Sequence, residues 1–132
     1  MTLAKKYNNP GDLSLPVSGY HGPGICVHVH NDQHGSYGSF PTVEDGVAAL
    51  QCRLSSYVAR GYNSIHKMNH IYAADHHWSS NVSHLSGIDV DTRLDPTDAS
   101  QMRDLIYGIV QAETGDAAYF GLNNPRHIKR KT

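Results

Sequence analysis

No stretch of this chain is apolar for the roughly 20 residues that a bilayer-crossing helix needs, so a membrane-spanning helix is excluded and no membrane insertion is expected. Cysteine is scarce. Cys26 and Cys52 are the only two, which excludes the disulfide framework of small secreted scaffolds. Cys26 falls in a strand-like run and Cys52 in a helical one, so a single bridge between them stays open. An excess of one charge is missing too: 11 Lys and Arg against 12 Asp and Glu give a net charge of −1 with His neutral. That leaves no global basic field, so nucleic acid is not expected as a partner. The one charge run, Arg126, Lys129, Arg130 and Lys131, reads as a solvated tail or as a weak attractor of an anionic polymer such as a cell wall. Met1 to Pro10 contains no apolar core of a Sec signal peptide. Action outside the cytosol is therefore expected to need another route: phage assembly, phage-made holes or a contact-dependent secretion machine. Internal repeats of useful length are absent, although Asn-Asn-Pro occurs at 8–10 and again at 123–125.

What is present is an ordinary globular composition, 39% hydrophobic and 17% charged over 132 residues, which fits one domain with one modest core. Residues 1–24 are rich in Gly, Pro and Asn and read as loop. Ile25 to His30 alternates apolar and polar side chains, and Ser36 to Phe40 can return beside it, which predicts a small hairpin. The period then changes. Val43, Val47, Leu50, Leu54, Tyr57 and Val58 recur at helical spacing to about residue 60, with Thr42 as N-cap, Glu44 and Asp45 in the first turn and Gly61 as terminator. Further helices are predicted over about 64–74, 80–86 and 97–114, the last capped by Thr97 and ended by Gly115. The expected fold is mainly α with a small β-hairpin: loop and hairpin over 1–41, helical core over 42–115, basic tail over 116–132.

The last helix carries the sharpest chemical signal. Met102, Leu105, Ile106 and Ile109 form its apolar stripe, and Glu113 continues that stripe one turn beyond Ile109 at about 100° per residue. An unpaired carboxylate among apolar neighbours is pushed toward its protonated form, and the negative end of a helix pushes the same way. A carboxyl kept protonated near neutral pH is what a glycosidic general acid requires. The alternative is that the stripe simply reaches solvent in the last turn. Glu44 is the second candidate acid; its position in a first helical turn also suits plain complementation of the helix dipole.

The order of several short motifs resembles a known family. Asn8-Asn9-Pro10-Gly11-Asp12-Leu13, then Phe40 to Leu50 (Phe-Pro-Thr-Val-Glu-Asp-Gly-Val-Ala-Ala-Leu), Tyr57 to Gly61, Ile71-Tyr72-Ala73 and Gln111-Ala112-Glu113-Thr114-Gly115 are similar to the pattern of phage virion-associated, lysozyme-like proteins. The chain departs from that pattern at Asp12, where the family has Asn, at Ala73-Ala74-Asp75, where it has a Pro-containing turn, and at Thr114, where it has Asn. The same segments also resemble those of lysozyme-superfamily glucosaminidases in circularly permuted order, with the Gln111–Gly115 helix end placed last instead of first. The resemblance implies a lysozyme-like fold, Glu113 in the role of catalytic acid, and Asn8, Asn9 and the hairpin lining a glycan cleft. Either Asn-Asn-Pro copy suits the family's Asn-Asn position. In lysozyme-like transglycosylases one Glu serves as acid and then as base toward the sugar's own hydroxyl, which would account for the lack of an obvious second carboxylate. Tyr7, Tyr37, Tyr62, Tyr72 and Tyr119 are then available to pack on sugar faces.

The expectation is therefore peptidoglycan glycan-strand cleavage, as lytic transglycosylase or muramidase, in a phage virion or by an effector delivered to the bacterial periplasm. Such a setting would bring a virion or secretion-machine partner and, for an effector, an immunity protein. No cofactor is implied. The alternative is a non-catalytic virion or glycan-binding protein on the same fold. Ten histidines raise a third reading. His28 and His30 share a strand face, His66 and His70 stand at i, i+4, and His34, His76, His77 and His84 lie elsewhere. The run His66-Lys67-Met68-Asn69-His70 lacks the Glu of a zincin, so no metal site is assigned.

Overall fold

The computed structural model describes residues 2–29, 37–72 and 77–125. They form a mainly helical fold with one small hairpin, as the periodicities predict. Helix α1 spans Leu3–Lys6, strand β1 Ile25–Val27, strand β2 Tyr37–Ser39, α2 Val43–Ala59, α3 Ile65–Tyr72, α4 His77–Ser86 and α5 Ala99–Thr114, followed by a 3-10 helix over Ala117–Phe120. β1 and β2 pair antiparallel with Cys26 opposite Gly38. Among the described residues no helix is long and apolar enough to cross a membrane.

The apolar stripes meet in one core. Met102, Leu105 and Ile109 of α5 are buried with Leu50 and Leu54 of α2, Ile65 and Met68 of α3 and Val82 of α4. Helices α4 and α5 approach closely because Gly108 has no side chain: a Cβ there would lie 2.8 Å from the Ser86 Cβ and 3.0 Å from the Val82 carbonyl oxygen. Their antiparallel crossing brings Trp78, near the start of α4, to the C-terminal end of α5. That end is closed by Gly115 in the left-handed conformation at φ 73°, its N–H donating to the Gln111 carbonyl.

Four expectations differ from the structure. The N-terminal segment, read as loop, contains the one-turn α1, too short for periodicity to show; Thr2 caps it by accepting from the Lys5 N–H. Helix α5 is capped by Asp98, not Thr97. Thr97 is used in the preceding turn, where its N–H and hydroxyl both donate to Asp95 at 2.9 and 2.7 Å. Helix α4 begins at His77, ahead of the predicted 80. The presumed tail from 116 starts inside the fold, with Ala117 and Phe120 buried; its basic residues Arg126 to Lys131 lie outside the described residues. So do His30 to Ser36 in the hairpin connection and residues 73–76. Cys26 and Cys52 are both free, so the bridge left open above is not formed.

The Asn-Asn-Pro-Gly segment is a structural knot. Asn9 is fully buried. Its amide donates to the carbonyls of Leu13 and Gly38 at 2.9 and 2.8 Å, and its carbonyl accepts from the Leu13 N–H at 2.9 Å. Asn8, left-handed at φ 53°, donates to the Phe40 carbonyl at 2.9 Å. The loop is thereby fastened to β2 and to the entry of α2. Asn9→Ala strands the Leu13 N–H and the Gly38 carbonyl, while the Leu13 carbonyl keeps the Gly38 N–H as donor, and is expected to lower stability by about 2–4 kcal/mol, measurable by urea denaturation.

Candidate active site

Two clefts meet at the C-terminal end of α5. One, of about 180 Å³, is lined by Asp12, Arg53, Tyr57, Tyr72 and Glu113 among others. The second, of about 280 Å³, is lined by Asn9, Asp12, Tyr37, Glu113 and Thr114 among others. Asp12 and Glu113 belong to both, so the pair stands where one groove passes into the next. The knot described above delivers Asp12 to this place. Its backbone is left-handed at φ 55°, a conformation uncommon for a side chain other than glycine.

Glu113 is held by the single tryptophan. The Trp78 Nε1–H donates to Glu113 Oε1 at 2.9 Å. One side of the residue opens to solvent, while the walls around the carboxyl strip part of its hydration. That desolvation pushes its pKa above the ordinary carboxylate value. The Trp78 hydrogen bond pulls it partly back, and the charge of Asp12 adds to the rise. Behind it runs a file of rings. Trp78 stacks on Tyr72 with centroids 4.7 Å apart and planes at 9°. Tyr72 meets Tyr57 edge-on at 5.9 Å, and Tyr57 meets Tyr62 at 6.3 Å.

The sequence candidates divide accordingly. Glu113 and Tyr72 line the first cleft, and Asn9, Tyr37 and Glu113 the second. Asn9 is also structural, Asn8 is engaged with the Phe40 carbonyl, and Tyr62 stands at the far end of the ring file. Tyr37 meets Tyr7 edge-on at 5.8 Å. Glu44 is exposed in the first turn of α2 and lines neither cleft. Tyr119 also lies off both, beneath the Lys5 ammonium at 4.9 Å and against Phe120. Lys5 in turn pairs with Asp116 at 2.7 Å, a contact that holds the Asp116 carboxyl below its usual range.

Three site residues were not named as site candidates from sequence: Asp12, Arg53 and Tyr57. Arg53 and Tyr57 are i, i+4 neighbours on α2, and Asp12 follows a turn signal. Nothing in spacing says that the three face Glu113. Among the described residues no three His, Cys, Asp or Glu side chains are grouped as metal ligands; His66 instead pairs with Asp91 at 3.1 Å on the surface. Neither a protein-family model nor a curated protein matches the chain.

Opposite shifts of the Glu113 titration check this electrostatic account. Trp78→Phe removes the donor and is expected to raise the pKa. Asp12→Asn removes the neighbouring charge and is expected to lower it. Carbon-13 NMR of the Glu113 carboxyl reads both directly.

Proposed function

We propose that this protein cleaves the glycan strands of peptidoglycan through a lysozyme-like site, with Glu113 as general acid and then base. The observation that carries this reading is the position of Glu113: a partly desolvated carboxyl with a raised pKa, at the junction of two clefts that together make a groove. A protonated Glu113 would donate to the glycosidic oxygen as the sugar takes on oxocarbenium character. Asp12, on the same groove, would offer negative charge to that cation. The resulting Glu113 carboxylate would then take a proton either from the sugar's own hydroxyl, as in a transglycosylase, or from water, as in a muramidase. The motif resemblance supports a phage or antibacterial-effector setting.

A glycan-binding module without catalysis is the second reading. It is favoured by the Trp78 hydrogen bond, which would fix Glu113 as a static acceptor. Mass spectrometry of material released from purified sacculi separates the two. Cleavage is expected to yield muropeptides with anhydro ends for transglycosylation or reducing ends for hydrolysis. Binding to sacculi with no release would overturn the catalytic reading.

A further inference from the structure

The smaller cleft contains chemistry that proton transfer by Glu113 does not use. Arg53 reaches into its wall from α2. One guanidinium nitrogen donates to the Ser14 carbonyl at 3.0 Å and another to the Tyr57 hydroxyl at 3.4 Å. Both acceptors are uncharged, and among the described residues Arg53 has no carboxylate within ion-pair distance. A guanidinium fixed by neutral acceptors keeps its charge and part of its donor fork for a ligand. Tyr72 supplies a second, independent pointer. Its hydroxyl is buried, with no hydrogen-bond partner among the described residues. Leaving such a group unsatisfied is costly. The ionisable groups that act on this hydroxyl include Arg53 and Glu113, both of which line the same cleft.

We infer that Arg53 and Tyr72 make the cleft on this side of Glu113 a subsite for a sugar that carries a carboxylate. This rests on the glycan reading above and specifies it. A carboxylate matches the planar fork of Arg53, which can engage both of its oxygens. A dianionic phosphate matches less well, because Asp12 shares the cleft and repels a second negative charge. In peptidoglycan the carboxylate has two sources: the free lactyl group of a muramic acid without its peptide, or the carboxylates of an attached peptide stem. The volume of about 180 Å³ favours the compact lactyl group. A lactyl carboxylate becomes free only after hydrolysis of its amide bond to the stem, so an amidase-type reaction would supply this substrate.

The test uses Trp78, the only tryptophan in the chain, as a fluorescence reporter in the intact protein. Three probes are titrated: N,N′-diacetylchitobiose, the disaccharide N-acetylglucosaminyl-N-acetylmuramic acid, and that disaccharide bearing a dipeptide on its lactyl group. The first two differ only by the lactyl ether. The acidic disaccharide is expected to bind about 10- to 100-fold tighter than chitobiose, the range of a hydrogen-bonded charge pair. Arg53→Met is expected to erase that preference, and its far-UV circular dichroism and thermal melt report that the variant is folded. Arg53→Lys should restore part of it, and Tyr72→Phe should weaken the acidic disaccharide further. Tighter binding of the dipeptide probe than of the free acid would keep the carboxylate subsite and move its source to the stem. Equal affinity for chitobiose and both acidic probes, no saturable binding of the acids, or an Arg53→Met variant with undiminished preference would overturn the inference. A carboxylate preference combined with no release from sacculi would instead overturn only the catalytic reading.

Discussion

Glu113→Gln is expected to slow muropeptide release by about 10²- to 10⁴-fold, the range for loss of a positioned general acid–base group. Glutamine keeps the shape of the side chain and an oxygen that accepts from Trp78, so the comparison isolates the proton. The same variant makes a second, independent prediction about stability. Desolvation raises the Glu113 pKa in the folded state above its ordinary value of 4.5. The folded state therefore holds that proton more tightly than the unfolded chain. The stabilisation this provides is fully present below pH 4.5 and is lost as pH rises through the folded pKa. Glutamine cannot ionise and escapes that loss. Thermal melts across pH 4 to 8 should show the melting temperature of Glu113→Gln rising relative to the natural sequence as pH increases. Release of muropeptides at the natural rate by the Gln variant would remove Glu113 from the chemistry. A stability difference that does not change with pH would remove the desolvation argument.

Gly46→Ala is the second large effect. In an exposed helix interior, alanine is favoured over glycine by about 0.8–1 kcal/mol. At position 46 the sign should reverse. A Cβ there would stand 1.8 Å from the Asn8 carbonyl oxygen and 3.0 Å from Pro10 Cδ. The nearest atom belongs to a backbone that Asn9 fastens in place, so it cannot step aside cheaply. The expected loss is about 3 kcal/mol or more, at the upper end for overpacking, read by chemical denaturation. Because the displaced loop carries Asp12, ligand binding in the groove should weaken as well. A neutral or stabilising Gly46→Ala would show that the loop does not dock on α2 as described.

These two positions also show how unevenly the molecule was legible. Gly46 stood in a recognisable motif, but its reason is an atom-to-backbone distance that no pattern expresses. Glu113 was found because helical periodicity projects a residue onto a face, and α5 keeps that period to its last turn. Glu44, on a similarly plain helix, was equally nameable as a carboxylate, yet it lines neither cleft. Periodicity assigns a face to each residue and does not say what stands opposite. The pairing of Thr97 with Asp95 in place of capping α5 has the same origin: two neighbouring residues both suited the cap, and the turn geometry chose between them.

The sequence by itself determined the helical class, the hairpin, the core stripes and the placement of Glu113 at the end of such a stripe, because these follow from local period, capping and turn chemistry. Only the tertiary structure decided that Asp12, Arg53 and Tyr72 share a cleft with that carboxyl and that Trp78 donates to it. They come from a loop and three different helices. Their meeting depends on the close approach of α4 to α5 at Gly108 and on the docking of the Asn8–Asn9 knot against Gly46, and the partial desolvation of Glu113 that follows raises its pKa.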